Sequence, residues 1–218
     1  MMEIDYQEIN EKLNAMTPAE VVAWAVEYSG GEVICSTNFR PQEAVILHMS
    51  TSVMPEMPIL WADGGNAYKE TYVFAEKLMS EMQLNMKIYN PLLTAARREA
   101  LFGPVPSIDD QDAHDIFTQQ TKIEPFKRGL AELKPKVWLT AIRADQTEHR
   151  ASLDIASPGP NGVIKLSPVY HFNDEMMEAY LAEHNLPDEK HYFDPTKVES
   201  KRECGLHVVE GKLVRKNA

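Results

Sequence analysis

The chain has 218 residues, 44% hydrophobic and 25% charged, which fits one α/β domain with extra segments and disfavours disorder. Its formal net charge of −11 disfavours a non-specific nucleic-acid binder, because an acidic surface repels phosphate backbones. Only two cysteines are present, Cys35 and Cys204, which excludes a disulfide framework and a four-thiolate iron–sulfur cluster within one chain, and fits a cytoplasmic setting where thiols stay reduced.

The first ten residues, MMEIDYQEIN, are acidic, with no cationic start and no apolar run, unlike a signal peptide. No stretch approaches the roughly 20 apolar residues of a membrane span. Tyr6, Ile9, Leu13 and Met16 recur at helical spacing over residues 3–16. Thr17-Pro18-Ala19-Glu20 then marks a fresh helix start, with a capping threonine, proline in first position and glutamate three residues on. Gly30-Gly31 ends that helix.

Residues 32–35 read as a short strand, 36–40 as a turn, and Pro41 as the opening of a helix to about Met49. A buried strand over 58–62 leads into the turn Asp63-Gly64-Gly65-Asn66. Next come a helix over 71–83, a strand over 86–89, a helix over 92–101 and a polar loop over 103–112. A helix over 124–133, strands over 137–142 and 163–169 and a helix over 173–185 complete the regular part. From 187 onward the pattern weakens, and an irregular, mobile segment covering the sheet is expected. The alternation predicts a Rossmann-like parallel sheet with helices on both faces. Ligands of such sheets bind beyond the carboxyl ends of the strands. The domain division expected is an α/β domain with N-terminal helices over 1–186 and a flexible catalytic tail over 187–218.

Three turns after strands therefore matter. Ser36-Thr37-Asn38-Phe39-Arg40 offers hydroxyls, backbone N–H groups at a helix start and a guanidinium, the donors that hold phosphate. Taken alone, it reads more readily as an ordinary capping turn with an exposed arginine. The glycines after Asp63 permit close approach of a ligand, or simply a tight turn. Arg143 and Arg150 flank a loop after a strand and suit sulfate or phosphate oxygens, or a solvated charged loop. The segment Lys201-Arg202-Glu203-Cys204-Gly205-Leu206-His207 carries the most information. Cationic neighbours favour the Cys204 thiolate, which is the nucleophilic form. Cys35 ends an apolar strand and reads as a packed core residue. The seven histidines show no zinc-ligand spacing, so no metal is expected.

Taken together these segments resemble the thioredoxin-dependent phosphoadenosine phosphosulfate (PAPS) reductases, within the larger group of adenine-nucleotide α-hydrolase-like proteins. KIEPFKRGLAEL, VWLTAIR and RADQTEHRASL are similar to the family's K-V-E-P helix, its strand and its R-R-x-Q-S-x-x-R-A motif. STNFRPQEAV resembles the S-S-S-F-G-x-Q-A-A-V turn, and LWADGGNAYKETYVFAEKL the L-T-D-T-G-x-x-x-x-E-T-Y segment. KRECGLH matches the catalytic signature in full. Coverage runs from about residue 30 to 207.

The resemblance implies that the Cys204 thiolate attacks the sulfur of the sulfonucleotide to give an S-sulfocysteine. Thioredoxin or glutaredoxin then releases sulfite, leaving adenosine 3′,5′-bisphosphate as the other product. It implies no bound cofactor, because the adenylylsulfate reductases that carry an iron–sulfur cluster have extra cysteine pairs. By matching positions, Ser36, Thr37 and Asn38 line the phosphate end, and Asp63 and Gly65 lie near the adenosine. Lys122, Arg143 and Arg150 neutralise sulfate and phosphate, Lys201 and Arg202 deliver Cys204, and His207 tunes the thiol or contacts the anion. A homodimer is implied.

Two departures stand out. Arg40-Pro41 replaces a glycine, so that Arg40 either fills part of the phosphate pocket or recognises an extra phosphate. PDEKHYFDPTKVES, over 187–200, replaces the longer H-P-L-x-x-x-G-Y-x-S-I-G segment. Adenylylsulfate or another adenylated anion therefore stays open as substrate. An ATP pyrophosphatase of the same fold is the second alternative, although the turn lacks that chemistry's S-G-G-x-D-S glycines. A non-catalytic nucleotide-binding relative is the third.

Overall fold

The computed structural model describes residues 4–107 and 109–196 in full, and the strands His207–Val209 and Lys212–Val214 by their backbone. Two helices lead the chain, α1 (Tyr6–Leu13) and α2 (Pro18–Ser29). The start of α2 is the predicted capping box: Thr17 accepts from Glu20 N, and the Glu20 carboxylate accepts from Thr17 N at 2.8 Å. Gly30 ends it in the left-handed region, φ 65°.

The sheet is built from β1 (Val33–Thr37), β2 (Pro58–Ala62), β3 (Asn85–Tyr89), β4 (Val137–Leu139), β5 (Ala156–Pro158) and β6 (Ile164–Leu166). Their order is β3-β2-β1-β4-β6-β5. Every pairing is parallel except β5 with β6, which is antiparallel. Helices α3 (Glu43–Val53) and α4 (Lys69–Glu81) make the first crossovers. After β3 come α5 (Ala95–Phe102), α6 (Gln111–Thr118), a π-helical turn (Gln119–Ile123) and α7 (Glu124–Leu133). A 3-10 turn (Ala144–Gln146) and α8 (Glu148–Ala151) follow β4, a second 3-10 turn (Pro160–Gly162) joins β5 to β6, and α9 (Asp174–Glu183) follows the sheet. Among the described residues no helix is long and apolar enough to cross a membrane.

Alternation along the strands divides the core in two. Val33, Cys35, Ile59, Trp61, Val137, Leu139, Ile164 and Leu166 face a large cluster that includes α2, α3, α4 and α9. Ile34, Leu60 and Trp138 face the other way and pack with Phe126 and Leu130 of α7. Near-continuous apolar strands are what a sheet covered on both faces requires.

The structure differs from the sequence expectation in several places. Pro41 does not open α3; the helix starts at Glu43, and Gln42 stands before it at φ 67°. Two aspartates of the expected polar loop over 103–112 begin α6 instead: Asp110 is its cap, accepting from Ala113 N, and Asp112 lies in its first turn. Strand β5 is an antiparallel edge ending in Pro158, a residue tolerated only where no ladder hydrogen bond is needed. In the region expected to be irregular, β7 (His207–Val209) and β8 (Lys212–Val214) form an antiparallel pair.

Candidate active site

The carboxyl ends of β1, β2 and β4 open onto a cavity lined by Ser36, Thr37, Asn38 and Arg40 of the first turn. Lys122, His149, Arg150 and Lys165 bring further basic groups to it, and Phe126 and Trp138 supply an aromatic wall. The chain is strongly acidic overall, yet Arg40, Lys122, Arg150 and Lys165 converge on this cavity, with Glu43 as its one acidic lining residue among the described residues. Low-dielectric walls focus such a field on an anion.

Each basic group is positioned by a local feature. Lys122 sits in the π-helical turn, which re-aims it off the ladder of α6 and α7. Its ammonium meets the Asp194 carboxylate and donates to Thr196 Oγ1 at 3.0 Å. Arg150 lies in α8, is nearly buried, and hydrogen-bonds Gln146 Oε1. Lys165 occupies the inner polar position of Ile164-Lys165-Leu166, with its ammonium 5.7 Å from the Trp138 ring centre. Trp138 Nε1 donates to Ser36 Oγ at 2.8 Å, tying the aromatic wall to the turn.

The turn itself is held in an unusual shape. Phe39 takes φ 52°, a left-handed conformation that costs a non-glycine residue energy. Burial of its ring against Trp61, edge-on with centroids 4.9 Å apart, offsets that cost. Inside the turn, the Glu43 carboxylate accepts from Thr37 Oγ1 and from Asn38 N.

A second concavity adjoins the first, lined by Asn38, Asp63, Gly64, Asn66, Lys122, Tyr192 and Asp194 among others. Asp63 Oδ1 accepts from Gly65 N and from the Tyr72 hydroxyl, both at 2.9 Å. Burial, and then the Asp63 carboxylate, push the Tyr72 hydroxyl up to about 12. Gly64 packs onto the backbone of the π-helical turn: a Cβ there would lie 3.1 Å from Thr121 O.

A phosphoadenosine phosphosulfate reductase domain model matches residues 32–195. The phosphoadenosine 5′-phosphosulfate reductase of Synechocystis sp. is 36% identical over 187 residues, covering 86% of this chain and 75% of that protein. The chain belongs to the phosphoadenosine phosphosulfate reductase family. The Vibrio cholerae member of that name is 36% identical over 182 residues, covering 83% of this chain and 70% of its own. Among solved structures, PAPS reductase from Candida auris, in a phosphate complex, superposes with a TM-score of 0.74 at 23% identity. That match covers 86% of this chain and 90% of the other. NH3-dependent NAD synthetase from Campylobacter jejuni shares the fold more distantly, with a TM-score of 0.52 at 12% identity, covering 84% and 75%.

Of the residues expected from sequence, Ser36, Thr37, Asn38, Arg40, Lys122 and Arg150 come together around the main cavity. Asp63 lines the adjoining one, where Gly64 rather than Gly65 forms the wall. Arg143 lines neither. It is nearly buried, with Nη2 2.7 Å from Asp174 Oδ1 and Nε 3.3 Å from Asp145 Oδ1. A hydrogen bond from Arg143, and its charge, hold the Asp174 carboxyl below its usual range. Arg143 thus ties the loop after β4 to α9. Lys201, Arg202 and Cys204 lie outside the described residues, as does the side chain of His207. Sequence reasoning missed Glu43, Trp138, His149, Lys165 and Asp194. Trp138 and Lys165 carried one usable signal: both sit at alternating strand positions that face α7, where the sheet end is open.

Proposed function

We propose that the chain is a PAPS reductase, converting the sulfonucleotide to sulfite and adenosine 3′,5′-bisphosphate. The observation that carries this is the convergence of Arg40, Lys122, Arg150 and Lys165 around one aromatic-walled cavity at the strand ends. A nucleotide with anionic groups at both ends fits such a cavity, with Phe126 and Trp138 as apolar surface for a base and the cations for sulfate and phosphate oxygens. Family membership and the names of the relatives support the same conclusion.

In the proposed chemistry Cys204 is the nucleophile. Its thiolate attacks the sulfate sulfur, the bond from sulfur to the bridging phosphate oxygen breaks, and the nucleotide leaves with the electron pair. An S-sulfocysteine remains. A thiolate of thioredoxin or glutaredoxin attacks the Cys204 sulfur, and sulfite leaves with that bond's electron pair. The donor's second thiol resolves the mixed disulfide, so the two electrons come from the donor and Cys204 is regenerated. Lys122 and Arg150 stabilise charge on the departing nucleotide. Lys201 and Arg202 accompany Cys204, and His207 tunes the thiol. The protein works without a bound cofactor or iron–sulfur cluster, as a homodimer, in the cytoplasm where the donor is kept reduced.

The test is incubation with PAPS followed by mass analysis of the Cys204 peptide. An added sulfo group on that peptide, sulfite released on addition of reduced thioredoxin, and loss of both in Cys204→Ser are expected. A Cys204→Ser variant with full sulfite release would overturn the mechanism. Adenylylsulfate run in parallel decides the substrate's 3′-phosphate requirement.

A further inference from the structure

The turn from β1 to α3 presents the donors of an anion site, and the chain fills them with its own carboxylate. Thr37 Oγ1 donates to Glu43 Oε2 at 2.6 Å and Asn38 N donates to the same oxygen at 2.8 Å. With its amide nitrogen facing the carboxylate, Asn38 also donates to Oε1 at 2.8 Å and Oε2 at 3.1 Å, while its oxygen accepts from the Tyr192 hydroxyl at 3.0 Å. Arg40 closes the ring, Nε lying 3.1 Å from Oε1. Glu43 is only 6% exposed.

A hydroxyl, a backbone N–H beside a helix start and a guanidinium are also the groups that a sulfate or phosphate oxygen selects. Thr37, Asn38, Arg40 and Glu43 all line the main cavity. Arg40 has a second anchor, Nη2 donating to Ala141 O at 3.2 Å, which keeps it at the cavity wall independently of Glu43. An arriving anion therefore meets Glu43 as a competitor for the same donors and as a like charge a few ångströms away.

We propose that Glu43 is a specificity-determining residue, an internal stand-in for the anion. Its carboxylate keeps the cradle shaped while no ligand is bound, and it yields Thr37 and Arg40 to an incoming anionic group. A free inorganic anion brings too few other contacts to displace it. A nucleotide-borne anion also engages Lys122, Arg150 and the aromatic wall, and so succeeds. The identity of that nucleotide rests on the reductase assignment; the competition at the cradle does not.

Calorimetric titration of the full chain with inorganic sulfate, and separately with adenosine 3′,5′-bisphosphate, tests the proposal. In Glu43→Gln, sulfate affinity should rise about tenfold, the size of one like charge removed at close range in a partly screened site. The gain should vanish in Glu43→Gln combined with Arg40→Gln, because the two residues act as one unit. A purely structural role predicts the opposite: a lower melting temperature with sulfate binding unchanged or weaker, and that result overturns the proposal. Should Glu43→Gln fail to fold, the wild-type chain with 13C-labelled glutamate gives the answer. The Glu43 carboxylate resonance must shift as adenosine 3′,5′-bisphosphate takes its donors and stay put with sulfate; a resonance that shifts with neither, or with sulfate as readily, overturns the proposal. If the chain were not a reductase, PAPS turnover would be absent while both sulfate readouts kept their meaning.

Discussion

The Lys122 ammonium in the π-helical turn sits against the Asp194 carboxylate, 72 residues further along the chain. The pair is nearly buried, with side chains 12% and 9% exposed. It fastens the segment after α9 across the mouth of the adjoining cavity, where Thr196 and Pro195 also anchor it. Thr196 N donates to Asp194 Oδ1 at 2.9 Å, and Pro195 O lies 3.1 Å from His114 Nε2.

That pair predicts an acid-sensitive fold. Burial alone would raise the Asp194 carboxyl, but the Lys122 charge and the Thr196 hydrogen bonds outweigh it and bring it from 3.8 down to about 2. A folded value below the unfolded one stabilises the protein above the unfolded value, and the contribution is lost as pH falls toward 2. The amount is about 2 kcal/mol. Asp194→Asn should remove that acid limb between roughly pH 4 and 2 and, by leaving Lys122 buried without its carboxylate, cost about 3 kcal/mol at pH 7. Urea unfolding across that pH range measures both. An unchanged slope below pH 4 would show that Asp194 does not carry the linkage.

Cys35 predicts a silent thiol. It is fully buried in β1, and burial pushes it up to about 12. Iodoacetamide at pH 8 should leave Cys35 unmodified in the folded protein and label it only after unfolding, while Cys204 reacts first. Cys35→Ala should cost on the order of 1 kcal/mol for the lost sulfur contacts and leave sulfite release intact. Peptide mass mapping over time separates the two thiols. Labelling of Cys35 at the rate of Cys204 would contradict its burial.

Close packing of α7 on the sheet predicts a third effect. A Cβ at Gly129 would lie 2.4 Å from Leu60 Cδ1 and 3.0 Å from two atoms of the Tyr89 ring. Leu60 is itself fully buried and cannot swing away without disturbing β2. Gly129→Ala should therefore destabilise by about 1–3 kcal/mol although alanine is the better helix former. A fall in the thermal midpoint checks it; a rise would mean that α7 can shift outward freely.

What the sequence made legible follows from how local each signal is. The α2 capping box and the buried runs of β1, β2 and β4 are written in neighbouring residues, and the structure keeps them. The mostly parallel sheet follows from alternating strands and helices, whereas the strand order is seen only in the structure. Helix α6 was hidden because Asp109, Asp110 and Asp112 spell a loop, although Asp110 works as a cap. Strand β5 was hidden because Pro158 and Gly159 read as breakers, and only an edge position reconciles them with pairing. At the site, Lys122 was named through the resemblance and Arg150 already by its place after a strand, and the structure sets both on the main cavity. Nothing local in the sequence shows that Arg143, expected at the anion, is paired with Asp174 and Asp145. Glu43 was invisible for a related reason: an acidic residue in a helix's first turn is ordinary, and only the bent turn at Phe39 and Gln42 brings its carboxylate under Thr37 and Asn38.

The aromatic wall yields the last prediction. Trp138 does three things at once: it packs against Phe126 with centroids 4.9 Å apart, lies under the Lys165 ammonium, and donates Nε1 to Ser36 Oγ. Trp138→Phe keeps a ring for the first two and removes the third. Loss of one partly buried hydrogen bond costs about 1 kcal/mol, so adenosine 3′,5′-bisphosphate should bind roughly fivefold more weakly if Ser36 needs Trp138 to hold its orientation. Trp138→Leu removes the ring as well and should lose substantially more, because the base surface and the cation contact go with it. Calorimetry on the two variants measures the step between them. If both lose equally, the hydrogen bond to Ser36 is the whole contribution; if Trp138→Phe binds as the wild type does, the ring alone matters and Ser36 is held by other means.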